Sequence, residues 1–223
     1  DHIQSHTPWV DYRKTRDFIL IDGGSSEVSQ VAVCWVATMK VIEECIRQDI
    51  HFIISHENCL YVETTAPYKT MKDLRDQKIK LCQKHQITIY RCHDGWDQFP
   101  VYGVADSLAR STGIPFDERP VSSFYHYAAI EKETVSELAE KLAKALKPHG
   151  CGYVEILGDP DQRVTKLGMG VGAAMNSQIM MMENVDCMIL ADDGFTNWID
   201  LQWCLDAKVP CILCHHSTND HSC

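Results

Sequence analysis

The apolar positions of this chain fall into short continuous runs separated by amphipathic stretches. Phe18-Ile19-Leu20-Ile21, closed by Asp22-Gly23-Gly24, reads as a strand and a turn. Residues 31–36, VAVCWV, form a second run. Thr38 then stands at a helix-cap position ahead of Val41, Ile42, Cys45 and Ile46, which share one helical face, and the chain becomes apolar again at Phe52-Ile53-Ile54. Strand, helix and strand in that order predict a parallel βαβ unit. A helix follows over Lys69–His85, with Met71, Leu74, Ile79 and Cys82 inward, then a strand in ITIYRC and a short helix within Gly103–Gly113.

The character of the chain changes over residues 114–132, where Pro115, Glu118, Arg119 and Pro120 mark a boundary and Val121–Ile130 reads as a strand. Thr134-Val135-Ser136-Glu137 matches a capping box, and Val135, Leu138, Leu142 and Leu146 make the most regular amphipathic helix in the sequence. Strands are expected at Tyr153–Leu157, Val164–Gly168, Cys187–Leu190 and Val209–Cys214, with helices near Ala173–Met182 and Thr196–Asp206. The whole reads as an α/β protein with an N-terminal lobe, residues 1–114, and a C-terminal lobe, residues 115–223, without a large inserted domain.

Composition narrows the function classes. A length of 223 residues with 45% hydrophobic content suffices for a substantial core, while the apolar runs are far too short to span a bilayer, so no membrane partner is expected. The net charge of −10, with no Lys/Arg cluster, excludes nucleic-acid binding through bulk electrostatics. Eleven cysteines, an odd number set mostly in apolar contexts, argue for a reducing compartment and against a disulfide framework, so a cytoplasmic protein is expected.

Three apolar runs end in the same kind of chemistry. FII stops at Ser55-His56-Glu57-Asn58, ITIYRC at His93-Asp94-Gly95-Trp96-Asp97, and VPCILC at His215-His216-Ser217-Thr218-Asn219-Asp220. Ligand sites in open α/β sheets form beyond the carboxyl ends of strands, so three such endings can converge on one crevice. His56, Glu57, Asp97 and His215 then supply mixed imidazole and carboxylate ligands suited to one or two divalent ions of Zn, Fe, Mn or Co. His93 is placed at the rim, to orient or protonate a small-molecule substrate. Two other motifs carry less. Gly168-Met169-Gly170-Val171-Gly172 lacks the spacing of a dinucleotide fingerprint and reads as close backbone packing, and Cys211-Ile212-Leu213-Cys214-His215 lies on a strand, where cysteines three apart face opposite ways and do not present a haem attachment pair.

In order and context these motifs resemble the NGG-interacting-factor-three-like (Nif-three-like) family, whose members carry the name GTP cyclohydrolase 1 type 2. VIEECIRQDIHFIISHEN is similar to the family's helix, strand and histidine ending, placing the first family histidine on His56. ITIYRCHDGWD matches the family's strand plus H-x-x-x-D, placing its metal-binding aspartate on Asp97 and its histidine on His93. VEILGDPDQRVTKLGMGVG and Cys214–Asn219 are similar to the second half, which ends in two histidines, and the resemblance spans roughly residues 30–220. Glu57 stands where the family has a second histidine, and Asn219 where it has a ligating glutamate that Asp220 can replace if the turn shifts. The resemblance implies two interleaved α/β lobes with a metal site at the strand C-terminal ends between them, a metal-dependent hydrolase whose substrate is a nucleotide, and a homo-oligomer, commonly a hexamer. The departures at Glu57 and Asn219 keep a second reading alongside it, a non-catalytic metal-binding scaffold that recruits partner proteins.

Overall fold

The computed structural model describes residues 2–24, 27–61, 68–131, 133–172, 183–194 and 198–220, the side chains of 219 and 220 excepted. The expected helix near Ala173–Met182 and the first residues of the one expected from Thr196 lie outside these. The chain divides into two compact units, one comprising Val10–Trp96 and the other His2–Trp9 with Asp97–Cys223.

The first unit holds β1 (Ile19–Ile21), β2 (Val31–Cys34), α2 (Met39–Arg47), β3 (Phe52–Ser55), α3 (Lys69–Lys84) and β4 (Thr88–Arg91). Its sheet runs β1-β4-β3-β2, with β2, β3 and β4 parallel, as the strand–helix–strand pattern predicts, and β1 antiparallel to β4. Thr38 caps α2 by accepting from the Val41 amide. Strand alternation sorts the sheet's faces. Ile53 and Ile89 point to one side and pack with Ile42, Cys45 and Cys82 of the two helices, all buried. On the other side Ile19, Val31 and Val33 are exposed, Val33 at 77%.

β2 stops at Cys34 rather than continuing to Val36, because the Trp35 carbonyl accepts from the Glu57 amide and the Val36 carbonyl from Thr38, which turns the chain into α2. In α3 Leu74 is exposed, contrary to the expected periodicity, and Lys78 is buried instead. Its ammonium donates to the Cys59 carbonyl at 2.7 Å and lies 5.0 Å from the centre of the Tyr61 ring, and burial pushes its pKa down.

A short helix, α4 (Asp94–Asp97), spans the boundary in sequence, and the second unit contains α1 (His2–His6), α5 (Val104–Thr112), β5 (His126–Ala129), α6 (Val135–Leu146), β6 (Glu155–Leu157), β7 (Lys166–Met169), β8 (Cys187–Ala191), α7 (Trp198–Asp206), β9 (Cys211–Cys214) and α8 (His216–Asp220). Its five strands run β5-β7-β8-β9-β6, parallel in the centre and antiparallel at both edges. Every residue of β8 is buried, as a central parallel strand covered on both faces requires. The capping box of α6 is complete: Thr134 Oγ1 accepts from the Glu137 amide and Glu137 accepts from the Thr134 amide. Arg119 grips Asp106 with both ends of its guanidinium, at 2.7 and 3.1 Å, beside a cavity of about 330 Å³ that His126 also lines. Cysteines 34, 45, 59, 82, 92, 151, 187, 204, 211 and 214 are free thiols, nearly all buried among apolar neighbours.

Candidate metal centre

Parallel pairing of β2, β3 and β4 brings Cys34, Ser55 and Arg91 level at one end of the first unit's sheet. Backbone pairing then continues past the strands. The His56 amide donates to the Cys34 carbonyl at 3.1 Å, that of Glu57 to Trp35 at 2.7 Å, and that of Cys92 to Ser55 at 3.0 Å. Ser55 Oγ fixes the first loop from beneath, accepting from the Ala37 amide and donating to the Glu57 carbonyl. Two strand endings far apart in sequence are thereby held side by side.

Their side chains meet. His56, Glu57 and His93 each offer a ligand atom, and the three atoms lie within 4.8 Å of one another. The two imidazole rings stack with centroids 4.6 Å apart, and His93 Nε2 is 3.4 Å from Glu57 Oε1. Each group is also held by its other polar atom. His56 Nδ1 faces the Cys92 carbonyl at 3.0 Å, His93 Nδ1 faces Asp94 Oδ1 at 2.9 Å, and Glu57 Oε2 accepts from Arg91 Nη2 at 2.7 Å. A carbonyl and a carboxylate opposite Nδ1 call for the Nδ1–H tautomer in both histidines, which presents Nε2 as the ligand atom. This is the arrangement by which outer groups orient the ligands of a metal.

In the absence of metal, burial pushes the Glu57 carboxyl up, but the His93 contact and the charges of Arg91 and of the protonated forms of His93 and His56 outweigh it and hold the group at about 2. Asp94, also raised by burial, is held well below the ordinary carboxylate range by His93 and Arg16.

His93, Asp94 and Asp97 form a second group with ligand atoms equally close, along one turn of α4. Asp94 is nevertheless an orienting group rather than a ligand. Its Oδ1 faces His93 Nδ1 and Arg16 Nη1, and its Oδ2 accepts from Thr15 Oγ1 and the Arg16 amide, which fills the four acceptor positions a carboxylate has. Asp17, nearly buried, sets the start of α4, its Oδ1 accepting from the amides of His93 and Asp94 and its Oδ2 from Gly95.

Of the residues singled out in the sequence, His56, Glu57 and His93 come together in this unit, and Asp97 groups with His93 along α4. His215 belongs to the second unit, its side chain 53% exposed, with Nδ1 2.7 Å from Ser217 Oγ and Nε2 3.5 Å from Asp192 Oδ2. Asn219 and Asp220 lie on α8 with side chains outside the described residues. Its neighbour His216 holds Asp193 at 2.8 Å and packs against Gly172. Sequence reasoning missed Arg91, Asp94 and Asp17. Arg91 had a signal, a lone charge at the end of an otherwise apolar strand; Asp17 had none, since its partners are 76 to 78 positions away.

Fold and site together define a mixed α/β protein with two sheets and a histidine–carboxylate cluster at a strand end. The family model for Duf34/NIF3 (NGG1p interacting factor 3) matches residues 18–221, and the chain belongs to that family. Among curated proteins, a GTP cyclohydrolase 1 type 2 homolog of Clostridium acetobutylicum is 22% identical over 189 residues, covering 79% of this chain and 68% of the relative. The crystal structure of Staphylococcus aureus protein SA1388 superposes with a TM-score of 0.77 at 16% identity, over 97% of this chain and 84% of that one. A Bacillus cereus protein related to NIF3 gives a TM-score of 0.76 at 13% identity, over 97% and 86%. At these identities the two structures establish the shared fold.

Proposed function

We propose that this protein binds a divalent transition metal, Zn, Fe, Mn or Co, and acts as a metal-dependent hydrolase on a small molecule. The observation that carries the reading is the trio His56, Glu57 and His93, three donors converging within 4.8 Å, each fixed by a partner on its other polar atom. Two imidazole nitrogens and a carboxylate oxygen fit these metals. Asp97 and His215 complete the donor set in this reading, with Asn219 and Asp220 near His215. A bound divalent ion supplies an activated water and polarises a substrate oxygen. The protein's share is positional: Asp94 fixes the tautomer and plane of His93, the Cys92 carbonyl does so for His56, and Arg91 aims Glu57. The name of the Clostridium acetobutylicum relative supports a nucleotide substrate, and the motif resemblance read from the sequence is the basis for proposing a hexameric homo-oligomer in a cytoplasmic setting.

Elemental analysis of protein purified without added metal, alongside His56→Ala and His215→Ala, tests the centre. Stoichiometric metal that survives both substitutions rules this set of ligands out. Hydrolysis is tested on nucleotides, phosphoesters and cyclic amides with the metal-loaded protein. A second reading, a metal-binding scaffold without turnover, is favoured by one observation: Glu57 already has a cationic partner in Arg91. Metal uptake with no turnover across the panel decides for it.

A further inference from the structure

Arg91 is an unusual neighbour for a cation site. Its side chain is 10% exposed, Nη2 donates to Glu57 Oε2 at 2.7 Å and Nε donates to the His56 carbonyl at 3.2 Å. Guanidinium stays protonated at any pH a protein survives, so this is a permanent positive charge. Nor is it free to swing away. Arg91 ends an interior strand, paired with Ser55, and its amide donates to the Phe18 carbonyl at 2.9 Å. Backbone and guanidinium are thus both anchored, within the same loops that present His56 and Glu57.

We propose that the Arg91 guanidinium occupies the place of a second divalent ion, so that this centre takes one ion per chain. The inference rests on the metal-binding function proposed above and specifies its stoichiometry. For Glu57 to hold two ions side by side, one on each oxygen, both of its oxygens would have to be free. Here Glu57 Oε2 is committed to Arg91, and only Oε1 turns toward His93 Nε2. An ion on Oε2, at an ordinary metal–oxygen distance, would lie within about 5 Å of a guanidinium whose side chain is 10% exposed, where like charges repel strongly. The guanidinium also supplies what a second ion would otherwise give Glu57, a fixed cation that orients the carboxylate. A merely structural ion pair would leave the ion count unchanged when broken, and this distinguishes the two roles.

The test is the number of ions per chain and their magnetic coupling. Full-length protein is stripped with chelator, reloaded with excess Mn²⁺, desalted, and measured by elemental analysis and electron paramagnetic resonance. Wild type is expected to hold one Mn²⁺ per chain with the spectrum of an isolated ion. Arg91→Ala is expected to rise to two with an exchange-coupled spectrum, and Arg91→Lys, which keeps a cation, to stay at one. Two ions per wild-type chain would overturn the inference and leave the proposed centre standing; none would remove the centre and the inference with it. Arg91→Ala that remains at one ion also overturns it. Should Arg91→Ala fail to fold, the wild-type count and spectrum decide alone.

Discussion

The rings of His56 and His93 lie face to face, 11° from parallel with centroids 4.6 Å apart. Each histidine is therefore both a donor and the wall against which the other rests. His56→Ala and His93→Ala are each expected to weaken Zn²⁺ or Mn²⁺ binding by at least about tenfold, a loss of the size produced even by removing an outer partner of a ligand. In a double-mutant cycle read by calorimetric titration, the two losses should fall short of additivity, because either change alone already loosens the pair.

Acid should destabilise the first unit through Glu57. Its folded carboxyl is held at about 2, below the ordinary value of 4.5, so the stabilisation is complete above about pH 4.5 and is lost as pH falls from there toward 2. Thermal melts of metal-free protein across that range should show wild type losing more stability than Glu57→Gln, which has no charge to titrate.

The second unit carries its own acid-sensitive pair. Asp106 is held well below the usual carboxylate range: burial raises it, and His126 and Arg119 outweigh that. Arg119 is nearly inaccessible, with 3% of its side chain exposed, so Asp106→Ala would leave a guanidinium buried without its counter-ion. A cost of about 3–5 kcal/mol is expected, read by urea denaturation. Metal uptake by the His56 group should be retained wherever the variant stays folded.

Gly172 has φ of +52°, and a Cβ built there would sit 2.7 Å from His216 Nε2. Gly172→Ala is accordingly expected to cost about 1–3 kcal/mol of stability, through backbone strain and displacement of the His216 ring. The NMR signals of His216 should move more than those of His56.

Much of this architecture could be read from periodicity and caps. The parallel pairing of Val31–Cys34 with Phe52–Ser55 followed from two apolar runs around one amphipathic helix, and Thr134 with Glu137 marked the start of α6. His56, Glu57 and His93 were visible as polar endings of apolar strands. Their outer partners were harder to see. Arg91 stood out as a lone charge ending an apolar strand, but nothing in its spacing pointed to Glu57, and HDGWD looked like a loop although Asp94–Asp97 is a helical turn. That turn is too short to show a period, and Asp17, from a distant segment, satisfies its first amides. Local pattern marks the atoms able to ligate, whereas tertiary partners, which no spacing encodes, decide how they are aimed.

Asp17 gives the site an unexpected dependence on the beginning of the chain. The loop that presents His93 takes its shape from one carboxylate that receives three consecutive amides. A shortened chain starting at Phe18 would keep His56, Glu57 and His93 in its sequence yet lose the carboxylate that fixes the backbone from which the third projects. The ability to capture a cation is in this sense inherited from a stretch that contributes no donor to it.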